Sequence, residues 1–199
     1  MISTWIGIDY GAKTSGNTVI CHHDGGYIRF YDADRRDADT FVVRWVEQLA
    51  PYQLQHVFID APLSLPGVYH GIEGCTNFHY RACDTALQAM SPMFLGGLTA
   101  RAIELKQTLV HKFIVSVYEV YPKAIAQVVL KNLYHKKLSS VELISLSNFL
   151  VNQFPSIAFD TYPQTQHQFD ALLAWLSGYR FVHHQHQLVG HAIEGQVII

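Results

Sequence analysis

Trp5-Ile-Gly-Ile-Asp9 is an apolar run that stops on an acid; after a Gly-rich turn from Gly11 to Gly16 comes Asn17-Thr-Val-Ile-Cys-His-His-Asp-Gly-Gly-Tyr-Ile-Arg-Phe-Tyr-Asp32. The first run reads as a buried strand over 4–9. The second reads as two strands, Asn17 to His23 and Tyr27 to Asp32, with Asp24-Gly25-Gly26 as a strong hairpin signal between them. The chain therefore opens with three strands joined by tight turns.

Phe41, Val42, Trp45, Val46 and Leu49 then recur at helical spacing, with Asp37 and Asp39 near the start, where the helix dipole favours acids. Pro51 is expected to close this helix. His56 to Asp60 is a short apolar run ended by Ala61-Pro62, which predicts a central strand stopping at Asp60. Residues 62–76 read as a loop. A helix is expected from Asn77 to Met90, an interruption at Ser91-Pro92 to Gly96-Gly97, and a second helix from about Thr99 to Lys112. Phe113 to Tyr121 reads as the next strand, and Pro122 suits the first position of a new helix. Ser139 and Glu142 have capping-box spacing. The last helix, roughly Thr165 to Phe181, carries an apolar stripe of Phe169, Leu172, Leu173 and Leu176. His167, Asp170, Ala174 and Ser177 lie on an adjacent strip, where small residues let the backbone approach a sheet. The tail from Gln187 to Ile199 reads as a short hairpin around Glu194-Gly195.

This order predicts an α/β fold with a mixed sheet, its first three strands antiparallel, and helices packed on it. No repeat or linker divides the 199 residues, so a single domain over 1–199 is expected, with a helical insertion at about 62–112. Hydrophobic residues make up 49% of the chain, enough for a proper core. The formal net charge of −2 gives no bulk electrostatic attraction to nucleic acid, though it leaves room for a local basic groove. Cys21, Cys75 and Cys83 form an odd set without CxxC spacing, against a disulfide framework or structural zinc. No signal peptide and no apolar run long enough to span a bilayer is read, so a cytoplasmic location is expected and no membrane partner.

Four apolar stretches each end on or carry one acid: Asp9, Asp60, Glu119 in Val115-Ser-Val-Tyr-Glu119, and Asp170 in His167-Gln-Phe-Asp170-Ala. Acids among apolar residues are costly unless paired. If the strands ending at Asp9, Asp60 and Glu119 are neighbours, their carboxyls meet at one sheet edge and Asp170 closes the group from the last helix. Oxygen ligands gathered this way suit Mg²⁺ or Mn²⁺. Two such ions would relieve the repulsion and form a phosphodiester hydrolysis site.

Ile-Gly-Ile-Asp9-Tyr-Gly, Ile-Asp60-Ala-Pro-Leu, Glu119-Val-Tyr-Pro-Lys-Ala and His167-x-x-Asp170-Ala together resemble the ribonuclease H-like superfamily. Within it they are most similar to the family of predicted nucleases known as domain of unknown function 429. Met93, Gly96-Gly97-Leu98, Arg101 and Glu104-Leu105 resemble that family's middle motif. The resemblance implies a five-stranded mixed sheet with flanking helices and a Mg²⁺- or Mn²⁺-dependent nuclease acting on DNA or RNA. Under it Asp9, Asp60, Glu119 and Asp170 are metal ligands and catalytic residues. His167 matches the histidine one turn before the last acid in Holliday-junction resolvases, which resemble this group.

Each residue also has a plainer reading. Asp9 and Asp60 can serve turns, Asp170 can pair with Arg101 or Lys123, and Glu119 can pair with Lys123. His167 can be a surface histidine. Lys13, Arg81, Arg101 and Lys123 are candidates to bind substrate phosphate, or are solvated cations. Two other functions stay open. Asp9-Tyr-Gly11 and Lys13-Thr-Ser-Gly16 resemble the phosphate loop of actin-like phosphotransferases, which need two such domains. A non-catalytic binding module is the other. Oligomeric state is left open, a homodimer included.

Overall fold

β1 (Trp5–Asp9), β2 (Val19–Asp24) and β3 (Tyr27–Asp32) form an antiparallel meander. A computed structural model describes residues 5–49, 54–135 and 137–199. Gly25 and Gly26, both at positive φ, make the β2–β3 turn that Asp24-Gly25-Gly26 predicts. α1 (Ala38–Leu49) leads to β4 (His56–Asp60), which runs parallel to β1. Pro51 lies outside the described residues.

Between β4 and β5 (Ser116–Val120) come a 3-10 turn over Gly67–His70, α2 (Ala82–Leu87), α3 (Pro92–Leu95) and α4 (Gly97–Phe113). The helix expected from Asn77 to Met90 shrinks to α2. The Asn77 side chain explains the late start: its Oδ1 accepts from the backbone N–H of His79 and Tyr80, both at 2.9 Å, forming a turn instead of a helix. β5 begins later than Phe113, because α4 continues through that residue and Ile114 turns left-handed at φ 57°.

α5 (Pro122–Val129) starts at Pro122. α6 (Ser140–Gln153) carries the Ser139–Glu142 capping box. α7 (Gln166–Val182) is capped by Thr165, whose side chain accepts from the Gln168 N–H. β6 (Leu188–His191) and β7 (Gly195–Ile198) form the tail hairpin.

Among the described residues the sheet has seven strands in the order β3-β2-β1-β4-β5-β7-β6, where five were expected. β7 pairs parallel with β5, matching Glu119 with Val197 and Val120 with Ile198. Val197 and Ile198 are buried there, so the apolar tail covers what would be an open sheet edge.

Alternation along the strands decides what each face carries. Ile6, Ile8, Val57, Ile59 and Val117 pack with α1 and α4 through Val42, Val46, Leu105 and Leu109. Residues of the other parity, Gly7, Phe58 and Val120 among them, face α7. α7 lies unusually close to β1. A Cβ on Gly7 would stand 2.1 Å from the Trp175 backbone N and 2.6 Å from the Ala171 carbonyl. Trp5 Nε1 donates to the Trp175 carbonyl at 3.0 Å, pinning the same approach.

Gly7→Ala is therefore expected to push α7 off the sheet and cost roughly 3 kcal/mol or more, the upper end for overpacking. Chemical denaturation measures it; a variant as stable as the wild type would contradict the backbone contact.

Candidate functional site

Asp9 and Asp60 end the adjacent parallel strands β1 and β4 and are direct register partners. Both have the parity that faces α7. Asp9, 9% exposed, takes a 2.7 Å contact from Oδ2 to Nδ1 of His167 in the first turn of α7. One turn further along, Asp170 Oδ1 accepts from the Tyr134 hydroxyl at 2.7 Å and from Gln166 Nε2 at 3.0 Å. The Thr165 cap fixes this end of α7 above the strand ends, and the Gly7 approach holds it down.

The electrostatics show the acids crowding one another. Burial, then the charges of Asp9, Asp170 and Glu119, all push the Asp60 carboxyl well above the usual range. Burial and then Asp9 raise Asp170 to about 6, with the Tyr134 and Gln166 bonds pulling the other way. Asp9 is raised by burial and partly relieved by His167, whose own pKa rises chiefly through that bond. Tyr134 and Tyr121 are also raised, by burial first and then by Asp170 and Asp60 respectively.

Glu119 lines a pocket of about 210 Å³ with Asp60 and Tyr121, but it is engaged differently. Its register partner is Ile59, one residue short of Asp60, so alternation turns it to the opposite face of the sheet. There Arg81, 0% exposed, holds it through two bonds, Nη1 to Oε2 at 2.7 Å and Nη2 to Oε1 at 2.6 Å. The same guanidinium binds Asp84 through Nε at 3.0 Å and Nη2 at 2.6 Å, and Ser64 Oγ at 2.8 Å. The Leu63 N–H adds a 2.8 Å bond to Glu119. Burial pushes the Glu119 carboxyl up and Arg81 draws it back down. Arg81, expected to meet a phosphate, is thus a buried internal cation, and it replaces Lys123 as the partner of Glu119.

The other cations differ from one another. Arg101 is bound by both Asp39 oxygens, at 2.9 and 2.7 Å, stacks over Tyr10 and reaches the Gly11 carbonyl at 3.3 Å. Tyr10 donates to the same Asp39. Lys13 pairs with Asp37 at 3.2 Å, and the Gly11 N–H is taken by Thr18 Oγ1 at 3.0 Å. The groups of the phosphate-loop-like turn are therefore engaged within the fold. Lys123 is exposed and lines a cleft of about 500 Å³ with Asp60, Asp170, Tyr121, Tyr134 and Lys131. A larger hollow of about 780 Å³ lies between β3 and α1, lined by Asp32, Arg36 and Arg44, and none of the three α7-side acids borders it.

The donors on the α7 side are carboxylate oxygens and one imidazole, a set whose chemistry fits a hard divalent cation. Their positions are looser than a ligand cage. Among the described residues, no group of three or more His, Cys, Asp or Glu side chains stands together as a metal site.

Sequence reasoning did not single out Tyr134, Gln166 or Asp84, and read Asp39 only as an acid at a helix start, not as the partner of Arg101. Gln166 and Asp170 are four residues apart, and Arg81 and Asp84 three apart, spacings at which helical side chains meet. Nothing local marks Tyr134, which reaches Asp170 from 36 residues away.

No family model matches the chain, and no curated protein matches it. Among solved structures it is similar to one described as the Thermus thermophilus RuvC structure, at 14% identity and a TM-score of 0.45, covering 91% of this chain and 96% of that one. No helix among the described residues is long and apolar enough to cross a membrane.

Two measurements check this geometry. Arg81→Leu leaves Glu119 and Asp84 buried without their cation and is expected to cost about 3–5 kcal/mol. Lys123→Leu at its exposed position should cost little, and equal losses would contradict the assignment. The second concerns Asp170, whose carboxyl is raised from 3.8 to about 6. Its folded form holds a proton that the unfolded chain releases, so its stabilising contribution is full below the unfolded value and is lost as pH rises through about 6. In EDTA, Asp170→Asn should therefore gain unfolding free energy relative to wild type between pH near 4.5 and pH near 7.5, by at most about 3 kcal/mol in denaturant titrations. A pH-independent difference would refute the raised carboxyl.

Proposed function

We propose that this protein is a Mg²⁺- or Mn²⁺-dependent nuclease of the ribonuclease H-like superfamily, hydrolysing phosphodiester bonds of DNA or RNA at Asp9, Asp60 and Asp170. The observation that carries the reading is the side-by-side placement of Asp9 and Asp60 at the ends of β1 and β4, on the face that α7 covers with His167 and Asp170. Parallel neighbours lie about 4.8 Å apart, so two carboxylates in register, Asp9 buried and Asp60 partly so, repel unless protons or a cation intervene. The four acidic motifs, in order, add their resemblance to the domain of unknown function 429 family.

Each residue has a distinct task in this reading. Asp9, Asp60 and Asp170 would hold the cation. When bound, it supplies neutralisation of the carboxylates and activation of water. His167 holds a proton at Nδ1 against Asp9 and, with 44% of its side chain exposed, exchanges protons with solvent. Tyr134 and Gln166 orient Asp170. Lys123, at the cleft, meets a substrate phosphate. Glu119 and Arg81 brace the floor beside Asp60 from the other face of the sheet, which leaves three acids for the cation where four were expected.

The ungathered carboxyls favour one other reading, a non-catalytic module of the same fold. Titration with Mn²⁺ separates the two, since a bound cation raises the melting temperature and a module without a metal site shows no change.

The nuclease reading is tested on single-stranded, duplex and branched substrates with Mg²⁺ or Mn²⁺. Cleavage is expected from the wild type, none from Asp9→Asn or Asp60→Asn, and about 10- to 100-fold less from His167→Ala. EDTA should abolish it. A wild-type protein inert on all three substrates, with metal supplied, defeats the proposal.

A further inference from the structure

The segment between β4 and α4 exposes an unusual amount of aromatic surface beside the cleft. Phe94 is 65% exposed, Phe78 60%, Met90 59% and Tyr69 48%. These side chains come from separate pieces of the segment, and the rings meet in two sets that adjoin through the neighbouring residues Phe78 and His79. Phe94 stacks on His79 at 5.7 Å and meets Tyr80 edge-on at 6.0 Å, while Phe78 meets Tyr69 edge-on at 6.1 Å.

Their positions are held by polar bonds under the rings. Asn77 Oδ1 accepts from His79 and Tyr80 N–H. Ser91, fully buried, donates to the His79 carbonyl and accepts from the Met93 N–H. Thr99 Oγ1 donates to the Pro92 carbonyl at 2.8 Å. Apolar rings fixed outward in this way forgo burial, which marks a binding surface. The cleft begins beside them, since Met90 and Leu95, the residue after Phe94, line it together with Asp60 and Asp170.

We infer that these exposed rings, in two adjoining sets, are a stacking platform for the unpaired bases of a single-stranded polynucleotide whose backbone enters the acid cleft. The inference rests on the nuclease reading for its occupant and adds the substrate class. Charge argues for stacking. The chain carries a net charge of −2, and Arg81 and Arg101 are spent on internal acids, so bulk phosphate attraction is weak. Affinity for a strand must then come from base–aromatic contact, which any base supplies through its π face. Duplex bases are already stacked on one another and cannot reach such rings.

The test is binding without turnover: fluorescence anisotropy in EDTA with labelled single-stranded DNA, single-stranded RNA of the same sequence, and the duplex. The wild type is expected to bind a single strand more tightly than the duplex, the two single-strand arms showing which sugar is preferred. Phe94→Ala and Phe78→Ala should each weaken single-strand Kd by roughly 5- to 100-fold, and Phe94→Trp should retain it. Both alanine variants alter exposed side chains, and circular dichroism with melting checks that they fold. Wild-type preference for duplex, or alanine variants that bind single strands as the wild type does, overturns the platform even if the enzyme cleaves. Single-strand binding that depends on Phe94, with no cleavage in Mn²⁺, upholds the platform and defeats the nuclease reading.

Discussion

The seating of α7 on β1 is the contact on which the rest of the site depends. Gly7 has no side chain, so the Trp175 amide and the Ala171 carbonyl come within touching distance of the strand. Gly178 repeats the device further along, where a Cβ would stand 2.3 Å from the Trp5 ring. Only at that separation does the start of α7 reach over the ends of β1 and β4. His167 then meets Asp9, and Asp170 comes close enough to raise Asp60. A helix resting at ordinary sheet distance would leave those acids to water.

A second constraint works on the opposite face. Arg81, brought in by the segment between β4 and α4, locks β5 through Glu119 and caps α2 through Asp84. Glu194 in the tail hairpin accepts from Gly67 N–H and Ala82 N–H, both at 2.8 Å, so the last turn of the chain fastens the same segment. Buried ion pairs add little net stability over apolar packing, but losing one partner is severe. The network therefore acts as a registration device, fixing where the aromatic rings stand relative to the cleft. Glu119, beside that cation, raises Asp60 less than Asp9 and Asp170 do.

Among the described residues, the α7-side acids have no comparable cation. Asp9 has a half-exposed histidine, Asp170 has neutral donors, and the influences on Asp60 all act in one direction. A fold that satisfies Glu119 so thoroughly and leaves three neighbouring carboxyls strained is locally inconsistent in the way functional sites are.

The sequence alone determined the features that depend on nearest neighbours. The Asp24-Gly25-Gly26 turn, the end of β4 at Asp60, the Pro122 start, the Ser139–Glu142 cap and the small-residue strip of α7 are local choices of period, turn and cap, encoded within a few residues. Strand ends were legible too, and with them the closeness of Asp9 and Asp60. The face that each strand-end acid occupies was harder: Glu119 shares parity with Val117 and Ile59, and a shift of one residue relative to Asp60 sends it through the sheet. Asn77 halted a helix that the following residues would support, because its side chain competes for the backbone. Tertiary structure alone decided that Arg81 and not Lys123 would neutralise Glu119, that Tyr134 would hold Asp170, and that β7 would close the edge of β5. Each joins residues distant along the chain, and a pairing of that kind is set by which segments the packed core makes adjacent, which no local pattern encodes.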